Sequence, residues 1–169
     1  YTNQIFPVLD IEGTANLYVE EDSCLISPDK DYSYVIQVTG DITLKEGNGR
    51  LTLMLGNCKE DSEEEENYGY SILGWKEGEN RRRGTVTLEG GDLAAYGAIE
   101  GVEKFTMTGG KADLSYGDGR CVYAKDIAIL GGELSLTDDA EKEWISYFLK
   151  GRNSVYIDGA KITAKQKSP

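Results

Sequence analysis

Three groups of side chains in this sequence have the types and spacing to do chemistry. The first is the acidic run Glu60-Asp61-Ser62-Glu63-Glu64-Glu65-Glu66-Asn67. Its carboxylates, Glu60, Asp61, Glu63 and Glu64 foremost, could hold Ca²⁺, a hard cation that takes about six to eight oxygen ligands. The run lacks the Asp/Asn alternation and the Gly of an EF-hand loop, and a solvated charge run is the simpler reading. The second group is aromatic: Tyr68, Tyr70, Trp75 and Tyr96. Exposed rings stack on sugars, although outward strand positions also favour aromatic residues for their β-propensity. The third is Arg81-Arg82-Arg83, whose guanidinium groups can pair bidentately with uronate carboxylates or offset the acidic run nearby.

Other chemistries are excluded or unspecific. There is no His in the chain, which removes the commonest general base, the usual Ser and Cys triads and the commonest transition-metal ligand. With thirty acidic residues, pairs of carboxylates at glycosidase-like separations arise by chance. Asp113, Asp118 and Asp126 fall on different elements, so no catalytic residue is assigned. A net charge of −12 argues against a nucleic-acid partner. No run of apolar residues is long enough for a membrane-spanning helix. Cys24, Cys58 and Cys121 form no CxxC pair. A Cys24–Cys58 bridge is one option, and Cys121 beside Val122 reads as a strand residue of the core. The start at Tyr1 is expected of a processed or trimmed chain.

The elements that must position these groups repeat. Val86-Thr-Leu88-Glu-Gly90-Gly91-Asp-Leu93-Ala-Ala95 is followed by Phe105-Thr-Met107-Thr-Gly109-Gly110-Lys-Ala112-Asp-Leu114. Then come Ile127-Ala-Ile129-Leu-Gly131-Gly132-Glu-Leu134-Ser-Leu136 and Val155-Tyr-Ile157-Asp-Gly159-Ala160-Lys-Ile162-Thr-Ala164. Alternation predicts a strand with one buried face, the Gly pair a sharp bend, and the second alternation another strand. A weaker short strand precedes each copy, at Gly69–Gly74, Gly97–Gly101, Arg120–Ala124 and Ser146–Phe148. Units about 20 to 30 residues apart read as a solenoid. Stacking them puts Leu88, Met107, Ile129 and Ile157 above one another, about 4.8 Å between strands. No helix pattern or Lys-Ser/Thr motif follows the glycines, so they are corners rather than a phosphate cradle.

By length the chain is one domain, 1–169, of about six coils. Residues 1–10 are an entry or cap segment. Ile11–Val19 reads as a degraded copy with Gly13 at its bend, and 20–33 as a polar excursion. Tyr34–Val38 is a weak strand, and Ile42–Leu55 a copy with a looser bend. Residues 56–84 form a loop-rich coil with long loops at 56–68 and 75–84, expected to leave at neighbouring corners and to pair their opposite charges. An insertion at 137–149 carries a short helical periodicity.

The phrase of apolar-x-apolar-x-Gly-Gly-x-apolar-x-apolar, clearest at Phe105–Leu114 with Gly117–Val122 and at Ile127–Leu136, resembles a family of secreted bacterial β-helix proteins. These are described as carbohydrate-binding-domain-containing and are related in shape to pectate lyases. The resemblance covers about 68–165, and more loosely 11–55. It implies an all-β, single-stranded right-handed parallel β-helix, an extracellular or cell-surface setting, and polysaccharide binding, sometimes with Ca²⁺. The two central loops are longer than that pattern. The leading expectation is a non-enzymatic module that binds polysaccharide or acts as an adhesin or structural segment. One alternative is a polysaccharide lyase or hydrolase on the same scaffold. Another is a cofactor-free cyclase or isomerase on an antiparallel barrel of the allene-oxide-cyclase kind, which the phrase Met107-Thr-Gly109-Gly110 would also suit.

Overall fold

The computed structural model describes residues 7–27, 34–55, 69–75, 83–116, 120–138 and 147–166. These are all-β, with no helix among the described residues. The strands fall into six successive units. The first is β1 (Leu9–Ile11), β2 (Thr14–Leu17) and β3 (Ser23–Ser27). The second is β4 (Tyr34–Val38), β5 (Asp41–Leu44) and β6 (Arg50–Leu55). The third is β7 (Tyr70–Leu73), β8 (Thr85–Leu88) and β9 (Asp92–Tyr96). From the fourth unit the first two strands fuse. These units are β10 (Ala98–Met107) with β11 (Lys111–Tyr116), β12 (Val122–Ile129) with β13 (Glu133–Asp138), and β14 (Leu149–Ile157) with β15 (Lys161–Gln166).

Every strand pairing among the described residues is parallel. One six-stranded sheet takes the last strand of each unit, in the order β15-β13-β11-β9-β6-β3. The nine-stranded sheet takes the rest. Its two legs, β1-β4-β7 and β2-β5-β8, both join β10, which continues to β12 and β14. Parallel pairing throughout overturns the antiparallel barrel.

The expected row exists. Leu17, Leu44, Leu88, Met107, Ile129 and Ile157 are register partners in turn, as are Ala15, Ile42, Val86, Phe105, Ile127 and Val155. The six-stranded sheet supplies the facing rows, Leu51-Leu93-Ala112-Leu134-Ile162 and Leu53-Ala95-Leu114-Leu136-Ala164. A fully buried Leu, Ile or Phe contributes about 1.5–3 kcal/mol relative to exposure, so these inward rows are the main source of stability. A small apolar cavity of about 20 Å³ remains among Leu44, Leu53, Val86 and Leu93. It is about the size of one water and offers no polar partner, so it is a packing defect rather than a binding site.

The Gly-Gly bends hold their conformation by crowding as well as by φ. Gly91, Gly110 and Gly132, each the second of its pair, have φ of 75°, 74° and 82°. A Cβ on Gly110 would lie 2.5 Å from the Gly91 carbonyl oxygen directly beneath it. In the last copy Ala160 occupies the second position, and the positive φ moves back to Gly159 (72°).

Three sequence assignments change. Gly13 is not a Gly-Gly bend. It lies between β1 and β2, and its carbonyl accepts from Asp41 N as that of Gly40 does from Thr85 N. The copy it was assigned to is in register from Ala15, and turns without a glycine. Ser23–Ser27, read as part of a polar excursion, is β3, with Leu25 the one apolar residue on its inward side, half-buried beside a buried Ser27. The short strand before the last copy is Leu149–Gly151, not Ser146–Phe148, because Leu149 pairs with Val122. The helical periodicity at 137–149 falls mostly on residues outside the described ones. So does Cys58; Cys24 is an exposed free thiol and Cys121 is buried in the core.

Outward side chains are tied across units. Arg50, Asp92, Lys111, Glu133 and Lys161 are successive register partners, a row of alternating sign. Arg50 Nη2 lies 2.5 Å from Asp113 Oδ2, Arg50 Nε 3.7 Å from Asp92, and Lys161 Nζ 3.4 Å from Glu133. Exposed pairs of this kind contribute about 0–1 kcal/mol each.

Candidate functional site

The sequence-selected residues separate into two places at the ends of β7. Tyr70 opens β7, half-buried, and is the register partner of Tyr34 and of Ala98. Tyr96 ends β9, just before Ala98, and is 51% exposed on the outer side of the six-stranded sheet, beside Met54 and Ser115. Trp75 lies beyond the other end of β7, 43% exposed. Arg83 is brought to Trp75's end of β7, because Gly84 N donates to the Gly74 carbonyl (3.0 Å) and closes the base of the 75–83 loop. Tyr68, Arg81, Arg82 and the proposed Ca²⁺ ligands Glu60, Asp61, Glu63 and Glu64 lie outside the described residues. So does any charge pairing between the two loops. Among the described residues no group of three or more Cys, Asp or Glu is placed to hold a metal ion.

Trp75 is held rather than loose. Its carbonyl accepts a hydrogen bond from Gln37 Nε2 (2.9 Å), a side chain buried on β4. Its indole lies where a side chain on Gly101 would be: a Cβ there would sit 2.6 Å from Trp75 Cδ1. Gly101 has φ +71° and is the extra residue of a bulge between Glu100 and Val102. The bulge and the missing side chain together make a seat for the ring.

A second aromatic group sits beyond β10, on and beside β12 and β14. Glu100, Tyr123 and Lys150 are outward register partners, in line with Leu73, which is itself buried. Lys150 Nζ stands 5.4 Å from the ring centroids of both Tyr123 and Tyr147, a cation–π arrangement. Tyr147 is 52% exposed. The sequence reading passed over this group because its members are about 25 residues apart along the chain. The pairing of Val122 with Leu149 would have found it, since it sets Tyr123 beside Lys150. From Trp75 through Tyr123 to Tyr147 the outward side thus presents rings with a cation between two of them. Such a strip can stack on sugar rings and meet an acidic substituent.

The carboxylates near this strip are engaged structurally. Asp126 Oδ1 accepts from Asn153 Nδ2 (2.7 Å) and Ser154 Oγ (2.5 Å). These bonds, Ser154 first, hold its pKa below the ordinary value. A carboxylate favoured in its ionised form is a poor proton donor. Lys125 pairs with Glu103, and that hydrogen bond is the main cause of its raised pKa. The sign for Asp126 follows from its lowered folded pKa: its stabilisation is present above the ordinary carboxylate range and is lost as pH falls through the folded value. Asp126→Asn is therefore expected to be less stable than wild type at neutral pH, with the difference vanishing in acid. Urea titrations of both proteins across that range check it. A pH-independent gap would mean that the bonds to Ser154 and Asn153 do not depend on the charge.

Comparison with known proteins gives no match: no family model, no curated protein and no solved structure is similar to the chain.

Proposed function

We propose that the protein is a right-handed, single-stranded parallel β-helix of six coils, and that it serves as a non-enzymatic extracellular or cell-surface module binding polysaccharide. The observation that carries this reading is the seating of Trp75. Trp75 is 43% exposed, its backbone is held by Gln37 and its ring is seated against the bare backbone of Gly101, which makes it a preorganised stacking platform. Lys150 between Tyr123 and Tyr147 favours an acidic glycan, such as one carrying uronates. Ca²⁺ held by the acidic run remains part of the proposal as an accessory ligand.

The test is a glycan array run with Ca²⁺ and again with EDTA, on wild type, Trp75→Ala and Gly101→Ala. An aromatic contact contributes about 0.5–1.5 kcal/mol, so Trp75→Ala is expected to weaken binding roughly threefold to tenfold. Gly101→Ala should weaken it too, by displacing the indole, and should shift the Trp75 indole N–H resonance. Loss of binding in EDTA would bring in the acidic run. No selective glycan in either condition would overturn the reading and leave an adhesive or structural role.

A further inference from the structure

The two ends of the stack are built unlike each other, and neither is covered by another described strand. Among the described residues β1, β2 and β3 pair on one side only, and so do β14 and β15. At the last unit the inward rows lose their cover. Ile127 and Ile129 are 1% and 0% exposed, whereas their register partners Val155 and Ile157 are 46% and 51% exposed. At the first unit the same rows end in Leu9, Ala15, Leu17 and Leu25, only partly buried. Unpaired parallel edges with apolar inward rows are templates for another set of strands.

The charges at the two ends are opposite. Residues 7–27 carry Asp10, Glu12, Glu20, Glu21 and Asp22 and no Lys or Arg. Residues 147–166 carry Lys150, Arg152, Lys161 and Lys165 against the single carboxylate of Asp158. All ten of these acidic and basic residues are exposed. They also fall in register. The alternating row Arg50-Asp92-Lys111-Glu133-Lys161 ends on a cation at the last unit. At the first unit its next position is Asp22, whose Oδ1 accepts from Arg50 N (2.9 Å). The row containing Gln37 and Leu73 begins at Asp10 and ends at Lys150.

We propose that the partner of the last unit is the first unit of a second copy of this chain, stacked head to tail. Placing β14 and β15 of one copy beneath β1, β2 and β3 of the next continues every row. Val155 meets Ala15, Ile157 meets Leu17, and Ala164 meets Leu25. Lys161 comes under Asp22, so the alternating row runs unbroken through the joint, and Lys150 comes under Asp10 as a second pair of opposite charge. Such a contact joins two different surfaces and does not close on itself, so it produces open linear assemblies.

Sedimentation velocity of the chain at low ionic strength, from micromolar to millimolar, tests this. Mass is expected to rise steadily with concentration. Lys150→Glu with Lys161→Glu should weaken association about tenfold, since each exposed like-charge contact replaces an attractive one. Asp10→Lys with Asp22→Lys should do the same at the other end. Mixing the two doubly substituted proteins should restore association, because one swapped end then meets the other. Val155→Lys, at an exposed position, should abolish association while circular dichroism stays unchanged. A chain that stays monomeric throughout overturns the second copy as partner and leaves the open end to a different polypeptide. Association indifferent to the swaps and to Val155→Lys overturns it as well, by placing the contact on another face.

Discussion

Phe105→Ala is expected to lower the unfolding free energy by about 3–5 kcal/mol, the range for deleting a buried aromatic side chain. Phe105 is fully buried and is the largest fully buried side chain among the described residues. It stands in the inward row between Val86 and Ile127. Those neighbours are held by backbone ladders on both sides and cannot close over the gap, so the cost should fall towards the upper end. Domains of this size have about 5–15 kcal/mol in all, so a single truncation removes a large fraction. Urea denaturation followed by circular dichroism reads the loss. Tyr156→Ala, on the outward side of the same ladder and 57% exposed, should stay within about 0.5 kcal/mol. Equal losses for the two would mean that the inward row is not the closed core described here.

The contrast between those residues was legible in the sequence wherever alternation was long and uninterrupted. Leu88, Met107, Ile129 and Ile157 could be placed on adjacent strands because a period of two assigns sides without knowledge of partners. The same logic failed where a strand carried little apolar residue. On its inward side β3 offers Leu25 as the one apolar residue, beside a buried Ser27, while the more apolar Ile26 faces outward, and so it was hidden. Gly13 was misplaced because a glycine between β1 and β2 looks the same in one dimension as a glycine at a bend. The Gly159-Ala160 pair was recognised as a copy, but not that its positive φ would move to Gly159. That change follows from Ala160, which disfavours the left-handed region.

The candidate site was less legible than the fold, for a reason of geometry. Binding strips on stacked strands run across the chain, so their members are one unit apart in sequence. The tyrosines selected by closeness along the chain, Tyr70 and Tyr96, lie at the opposite end of β7 from Trp75. The ones that extend Trp75's side of the sheet, Tyr123 and Tyr147, were reached only through register. The alternating row from Arg50 to Lys161 was invisible on the same account, as was the register that sets the acidic first unit against the basic last one. A correct alignment of the units would have exposed all three.

Gly110→Ala and Gly159→Ala separate two causes that the repeated glycines combine. Both positions have nearly the same backbone, φ 74° and 72°. An L-residue in the left-handed region costs about 1–2 kcal/mol, and that should be most of the cost at Gly159, where the added methyl group crowds one backbone atom slightly. There a Cβ would come no closer than 3.3 Å to the Leu130 carbonyl oxygen. At Gly110 the same methyl group would lie 2.5 Å from the Gly91 carbonyl oxygen and 2.6 Å from the Gly90 carbonyl carbon. Both are backbone atoms of the bend beneath and cannot swing aside. Overpacking adds about 1–3 kcal/mol, so Gly110→Ala should cost roughly 2–5 kcal/mol in all. Paired urea titrations measure the difference. Equal costs at the two sites would show that the bends do not press on one another, and that the glycines are required for φ alone. A clearly larger cost at Gly110 would show that the Gly-Gly phrase repeats because each bend must lie flat against the last, which makes the phrase a mark of stacking rather than of any ligand.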